Sequence, residues 1–331
     1  MKKMTYRKSG VDTKKAEQLV QWIKKYNPHS KNILGSDYAS LWPLPLSKYK
    51  EPVLASSTDG IGTKVKLANY FSDWSGLGQD LLAMCLNDII CVGAKPLFFL
   101  DYYACGHLNK QQAQSFLKGL KKACEIANCP LVGGETAELP SLYKNKDIDC
   151  AGFCVGIVEK SKILGSQLVQ EKDHIVAFKS SGFHSNGYSL LRKVYKSPFL
   201  LNKKKKTLMK PTRLYSFLSP FLDQIPGLKA IAHITGGGLD NLSRILPKHL
   251  HAKLNKWPVP KNFLEVKQKA QLNWKELLQT FNCGLGLIVI IKSKDVLYRL
   301  FPTEEFIDLG KVTKRKRSDK AWSLNFKSMD S

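Results

Sequence analysis

The sequence predicts an α/β (α+β) fold in two domains. Three observations carry this. Amphipathic helical stretches and apolar strand-like runs alternate along 331 residues, with no short repeat period that would make a solenoid. The length exceeds one ordinary domain of roughly 100–200 residues. A polar stretch, SKILGSQLVQEKD (161–173), parts two halves that each hold such an alternation. The expected domains are therefore 1–165 and 166–331.

Each element follows from its pattern. In DTKKAEQLVQWIKK (12–25), Ala16, Leu19, Val20 and Ile23 fall at helical spacing behind a possible N-cap, Asp12. EPVLASSTDGIGTK (51–64) is a strand running into a glycine turn. GLGQDLLAMCLNDIICVG (76–93) is a helix with a broad apolar stripe. PLFFLDYYA (96–104) is a buried strand, and 109–128 an amphipathic helix. CPLVGG is a strand ending in a glycine turn, and IDCAGFCVGIVEK (148–160) the strand that closes the first half. In the second half, HIVAFKSS is a strand, SGFHSNG a turn and GYSLLRKVY a helix. A lysine-rich loop is expected near 198–210 and a helix at 211–223. AIAHITGGG is a strand into a glycine loop, GLGLIVIIK (284–292) a strong strand, and EEFIDLG the last strand.

Charge and cysteine content narrow the function classes. The net charge is +25, with 22 Lys/Arg against 15 Asp/Glu in residues 1–165 and 30 against 12 in 166–331. The runs KKKK (203–206) and KRKR (314–317) have no interleaved aromatics to stack bases. The excess therefore reads as the lysine-rich surface of an enzyme handling anionic small molecules, with no nucleic-acid partner expected. The eight cysteines form no CxxC pair and sit mostly in apolar runs, which suits buried free thiols. No run approaches the ~20 apolar residues that span a bilayer. MKKMTYRKSG has no apolar segment behind it. A soluble cytoplasmic protein without a membrane partner is expected.

The chemistry gathers at four glycine-rich turns after apolar strands: TDGIGTK, VGGETAE, SGFHSNG and TGGG. Successive backbone N–H groups in such turns can face an anion. Asp59 lies in the first turn beside Lys64, and Glu135 in VGGETAE. Asp88 falls between Leu86 and Ile89 in an apolar stripe, where a carboxylate is paired or bound to a cation. Acids on separate segments beside phosphate-cradling turns suit Mg²⁺–ATP, with Lys64 adding charge stabilisation. His184, with Ser185 and Asn186, is the most exposed of the seven histidines by context. It reads either as a site residue or as a loop residue capping the next helix.

These segments, in order, resemble the phosphoribosylformylglycinamidine cyclo-ligase (aminoimidazole ribonucleotide synthetase) family: GVD, TDGIGTK, NDI, GAKPLFFLDYYA, VGGETAELP, DCAGFCVGIVEK, SSGFHSNGYSLLRK, PTRLY, AHITGGG and TFNCGLG. The resemblance covers nearly the whole chain. It implies conversion of formylglycinamidine ribonucleotide and ATP to aminoimidazole ribonucleotide, ADP and phosphate in purine synthesis. It also implies a homodimer whose N-terminal domains form a β-barrel, a C-terminal α/β domain, and a cleft between the two domains.

By the same resemblance Asp59, Asp88 and Glu135 hold Mg²⁺, with Glu138 orienting the turn. His184, Asp88 and Lys64 are catalytic. ATP phosphates are expected at Thr58, Asp59, Gly60, Gly62, Thr63, Lys64, Gly133 and Gly134. The ribonucleotide is expected at Asp101, Ser185, Asn186, Arg213, Gly236, Gly237 and Gly238. The chain departs from the family at ILGSDYASLW (33–42), where a glycine-rich segment helps enclose ATP. It departs also at Ser9, Ser57, Phe183 and Leu277.

Overall fold

The structure is a computed structural model that describes residues 18, 19, 21, 22, 38–144, 147–317 and 319–329. Of the expected helix 12–25, only Leu19, which is buried, and its neighbours 18, 21 and 22 are described. Ser9, the GVD motif, Gly35 and the rest of 33–37 lie outside the described residues.

Two sheets, each with its helices, make up the described chain. The first has strands β1 (Pro52–Gly60), β2 (Lys95–Cys105), β3 (Leu131–Glu138) and β4 (Ile148–Glu159), in the order β1-β4-β2-β3. Its inner face is covered by α2 (Leu77–Cys91) and α3 (Lys110–Ala127). Alternation along β1 sends Val53, Ala55, Ser57 and Asp59 inward and leaves Leu54, Ser56 and Thr58 outward. Twelve of the fifteen residues of α2 are buried, because it packs on the first sheet and also on β6 (Leu228–His233) of the second. Glycine at 78 permits that fit. A Cβ there would come within 2.1 Å of the Leu120 backbone nitrogen in α3. The helix α3 is capped at its start by Asn109, whose side chain accepts from Gln112 N, and at its end by Asn128 in the left-handed region.

The second sheet has six strands in the order β10-β7-β9-β5-β8-β6. They are β5 (His174–Lys179), β6, β7 (Leu250–Leu254), β8 (Leu285–Ile291), β9 (Phe306–Lys314) and β10 (Trp322–Leu324). All seven residues of β8 are buried, as expected for a near-continuous apolar strand between two neighbours with both faces covered. Phe183 and Leu277, two of the departures from the family pattern, fill this half's core. The Phe183 ring lies 4.8 Å from Phe263 and 5.5 Å from Phe281, and Leu277 is fully buried.

Several local expectations are corrected. The stretch expected to be a lysine-rich loop is the helix α5 (Pro198–Leu208), which follows α4 (Tyr188–Val194). Ser197 caps it by accepting from Leu200 N, Pro198 opens its first turn, and Leu201 and Leu208 bury one side. Lysine is itself a good helix former. Conversely, 211–223 holds only a 3-10 segment, Ser216–Phe221. The backbone ahead of it is captured by side chains of α2. Asp80 accepts from Thr212 N at 2.7 Å, and Asn87 accepts from Tyr215 N at 3.1 Å and donates to Arg213 O at 3.0 Å. Gly133, Gly134 and Glu135 are not in a turn but inside β3, and Asp59 is within β1 rather than in the turn after it. EEFIDLG leads into β9, which is followed by β10. All eight cysteines are free, seven of them buried.

The strand β2 is buried on one face only. Outward, Leu54 is 56% and Phe153 42% exposed, and Phe98, Leu100, Tyr102 and Val155 complete the apolar face by register. The sheet of a single chain is open, not a closed barrel.

Candidate active site

A cleft of about 640 Å³ runs between the two halves. The β1 edge and the end of α2 form one wall. The other is built from the end of β6, the loop that follows it and the 3-10 segment Gly238–Ile245, with 164–167 closing one side. Asp88 and His233 both line it. His233 Nδ1 lies 3.0 Å from Asp88 Oδ1, with the histidine side chain 2% and the aspartate 44% exposed. Asp59, at the end of β1, is the next acid. Burial, reinforced by the charge of Asp88 and opposed by the Gly60 N–H hydrogen bond, holds its carboxyl above the usual carboxylate range. Asp88 lines the cleft, and Asp59, which does not, lies near enough for the two charges to act on each other.

The third expected acid is elsewhere. Glu135 pairs with Tyr102, one position beyond the Asp101–Gly134 pair. It therefore projects from the opposite face of the sheet to Asp101 and to Asp59, whose row reads Asp59, Gly152, Asp101, Gly134. Three strand spacings, ~14 Å along the sheet, separate it from β1. Within one chain Glu135 does not join Asp59 and Asp88. Glu138 accepts from Leu108 N at 2.8 Å and so fixes the chain after β2. Among the described residues, no group of three or more His, Cys, Asp and Glu side chains is placed to hold a metal ion.

Lys64 is turned into the interior rather than toward the accessible glycine turn. It opens α1 (Lys64–Phe71) and is fully buried. Its Nζ lies 2.7 Å from Asp80 Oδ2 and donates to Lys210 O at 2.8 Å and His184 O at 3.3 Å. Burial pulls the ammonium below the usual lysine range, with Asp80 opposing. The turn before it stays accessible. Gly62 has φ +70 with open space beside it, and Thr63 is exposed, its hydroxyl 3.1 Å from that of Ser189. Thr58 is exposed on the outward face.

His184 is buried outright, which corrects the expectation of an exposed loop histidine. Its φ is +59. Nε2 accepts from Ser181 N at 3.1 Å, and Nδ1 has no partner. Burial, helped by His233, Lys64 and Arg213, pushes its pKa well below the usual histidine range. It sits behind His233, ring centres 6.4 Å apart, and does not line the cleft. Ser185 pairs with the hydroxyl of buried Thr212 at 3.1 Å.

The remaining expectations divide. Asp101 is 7% exposed, and burial pushes its carboxyl up to about 7, against its own backbone N–H and with Glu135 adding to the rise. Gly134 makes its room, since a Cβ there would stand 2.2 Å from Asp101 Oδ1. Gly133 faces Ser40, whose hydroxyl donates to Val132 O. Arg213 forms a two-pronged pair with Glu304 at 2.6 and 2.7 Å and donates to Lys179 O. Gly236 and Gly237 are exposed after β6, with the Asn186 side chain beside Gly236, whereas Gly238 is buried.

Two cleft residues, His233 and Arg244, escaped the sequence reading, as did the buried Asn87 that contacts His233 from behind the cleft. Arg244 is the one Lys or Arg side chain in the cleft lining, exposed and without an ion-pair partner among the described residues. A polar His233 ending an otherwise apolar strand just ahead of ITGGG was the available signal.

Comparison with known proteins agrees with this architecture. Residues 37–158 match the family described as AIR synthase related protein, N-terminal domain, and residues 170–322 its C-terminal domain. The phosphoribosylformylglycinamidine cyclo-ligase of Nitrosococcus oceani is 41% identical over 338 residues, covering 97% of this chain and 90% of that one. That of Coxiella burnetii is 44% identical over 307 residues, covering 88% and 87%. Among solved structures, E. coli HypE superposes with a TM-score of 0.66 at 16% identity, covering 91% of this chain and 92% of that one. Thiamine-monophosphate kinase from Stenotrophomonas maltophilia gives 0.65 at 16% identity, covering 90% and 94%. These two likenesses concern the fold.

Proposed function

Because the chain belongs to the phosphoribosylformylglycinamidine cyclo-ligase family, it is an ATP-dependent ligase that makes aminoimidazole ribonucleotide in purine synthesis, and we propose that it does so in the cleft between its two sheets. The observation that carries this is identity of 41–44% with cyclo-ligases over 88–97% of the chain. Asp88 in the cleft, with Asp59 electrostatically coupled to it, agrees with it. The domain division at 165/166 and a cytoplasmic location belong to the same proposal. Among the described residues no helix is long and apolar enough to cross a membrane.

The formyl oxygen is a poor leaving group. Transfer of the ATP γ-phosphoryl group to it gives ADP and an activated carbon. Attack by the amidine nitrogen then closes the imidazole ring and releases phosphate. Protein groups position two anionic ligands, offset developing charge and move protons. Asp59 and Asp88 fit Mg²⁺ carried in with the nucleotide. That ion takes one or two carboxylates together with phosphate oxygens, and a cation held by these acids would oppose the burial and the Asp88 charge that hold Asp59 high. When bound, Mg²⁺ would offset negative charge on the transferring phosphoryl group. The Gly62–Thr63 turn, accessible and with a left-handed glycine, suits the phosphates.

The ribonucleotide phosphate is assigned to Arg244 rather than Arg213, because Arg213 is taken up by Glu304. Removing one charge-assisted hydrogen bond costs roughly 10–100-fold in affinity. Arg244→Gln is therefore expected to raise the KM for the ribonucleotide by about that factor with kcat little changed. An unchanged KM would return the phosphate to another site. The outward apolar face of the first sheet supports a homodimer closed across it, since an obligate interface is large and apolar. A stable, active monomer by sedimentation would remove that part. The activity itself is tested with purified protein, formylglycinamidine ribonucleotide and Mg²⁺–ATP. Folded protein that binds nucleotide but forms no aminoimidazole product would overturn the reading.

A further inference from the structure

We infer that His233 is a positioning residue for Asp88, locked by Asn87 in the tautomer that carries its proton on Nδ1. This rests on the cleft being the active site. Asn87 lies in α2 and is fully buried. Its amide orientation is fixed twice over: Oδ1 accepts from Tyr215 N at 3.1 Å, and Nδ2 donates to Arg213 O at 3.0 Å. Turning the amide over would set N–H against N–H and oxygen against oxygen. Nδ2 therefore also faces His233 Nε2, 3.3 Å away, and that nitrogen has to accept. A ring protonated at Nε2 would again oppose two donors. The proton stands on Nδ1, which donates to Asp88 Oδ1 at 3.0 Å.

The consequence is a carboxylate with divided duties. One Asp88 oxygen is held by a buried imidazole, and the other is left for the cleft. An unheld carboxylate on a half-exposed helix position samples several rotamers, and a site that must meet a phosphate–metal group loses affinity to that freedom. His233 comes from β6 and Asp88 from α2, so Asp88 is set only when the two halves are together. The His184 ring behind His233 backs it. That accounts for a buried histidine near the site without requiring it to touch a ligand.

The test uses the full-length protein and two variants. His233→Phe keeps the bulk but removes the donor, and His233→Asn offers an amide N–H in place of Nδ1–H. Loss of such an outer partner typically costs about 10–100-fold in metal affinity or activity. His233→Phe is expected to weaken Mg²⁺-dependent binding of a non-hydrolysable ATP analogue by about that factor, read by calorimetry, and His233→Asn to recover most of it. Binding by His233→Phe as tight as in the parent would overturn the proposal. Nitrogen NMR of labelled histidine, with the His233 signal assigned by its loss in His233→Asn, should find the proton on Nδ1. Finding it on Nε2 would overturn the proposal equally. Neither readout needs turnover, so an inactive parent would defeat the functional reading without deciding this one.

Discussion

Replacing Asp88 with asparagine is expected to lower turnover by about 10²–10³-fold, the usual cost of deleting one group that faces developing charge. The variant is chosen to separate charge from packing. An asparagine oxygen can still accept from His233 Nδ1, so the contact between α2 and β6 survives. What disappears is the negative charge at the cleft, where Asp88 is 44% exposed beside Asp59. The loss should appear in the single-turnover rate at saturating substrates, with the thermal midpoint near that of the parent. The coupling of the two acids adds a second arm. Without the charge of Asp88, the Asp59 carboxyl should titrate closer to the usual range, because that charge is one of the causes holding it high. An Asp88→Asn enzyme turning over at close to the parent rate would take Asp88 out of the reaction.

Lys64→Met is expected to act on stability and not on chemistry. The pair Lys64–Asp80 is closed at 2.7 Å with both side chains at zero exposure. Removing one partner of such a pair leaves an unpaired charge in the core and costs about 3–5 kcal/mol. Asp80 keeps its bonds from Thr212 N and Oγ1, both at 2.7 Å, so the stretch 211–215 should loosen rather than detach. The double variant Lys64→Met/Asp80→Leu should regain much of the loss, since burying an apolar pair can match a buried ion pair. Denaturant midpoints measure both. Turnover per folded molecule should be unaffected. If Lys64→Met instead weakened ATP binding at unchanged stability, the phosphate-binding role read from TDGIGTK would stand after all.

Much of the scaffold was legible because period and burial are local. The helices around Leu77–Cys91 and Lys110–Ala127, and the strands at 52–60, 95–105, 148–159, 174–179, 228–233 and 285–291, are where alternation and apolar stripes placed them. Errors came where a local pattern had two outcomes. Lysines at 203–206 read as a loop, yet a capped start and two buried leucines make them helix. Glycines at 133 and 134 read as a turn. In β3 they are strand residues, and the one at 134 leaves room for Asp101.

By itself the sequence determined two α/β halves, the family resemblance, and the acids Asp59 and Asp88 as chemistry-bearing residues. Only the tertiary structure decided which polar groups face the cleft and which are spent on holding it together. Lys64, His184 and Arg213 look like ligands in their motifs. Lys64 and Arg213 are consumed by Asp80 and Glu304, and His184 is walled in behind His233. His233, in a strand that reads as apolar, lines the cleft because Asp88 and Asn87, 145 and 146 residues away, turn it there. The physical reason is range. Hydrophobic period is written in neighbours a few residues apart, whereas a buried polar group takes its role from whichever partner satisfies it. Here those partners lie far away along the chain.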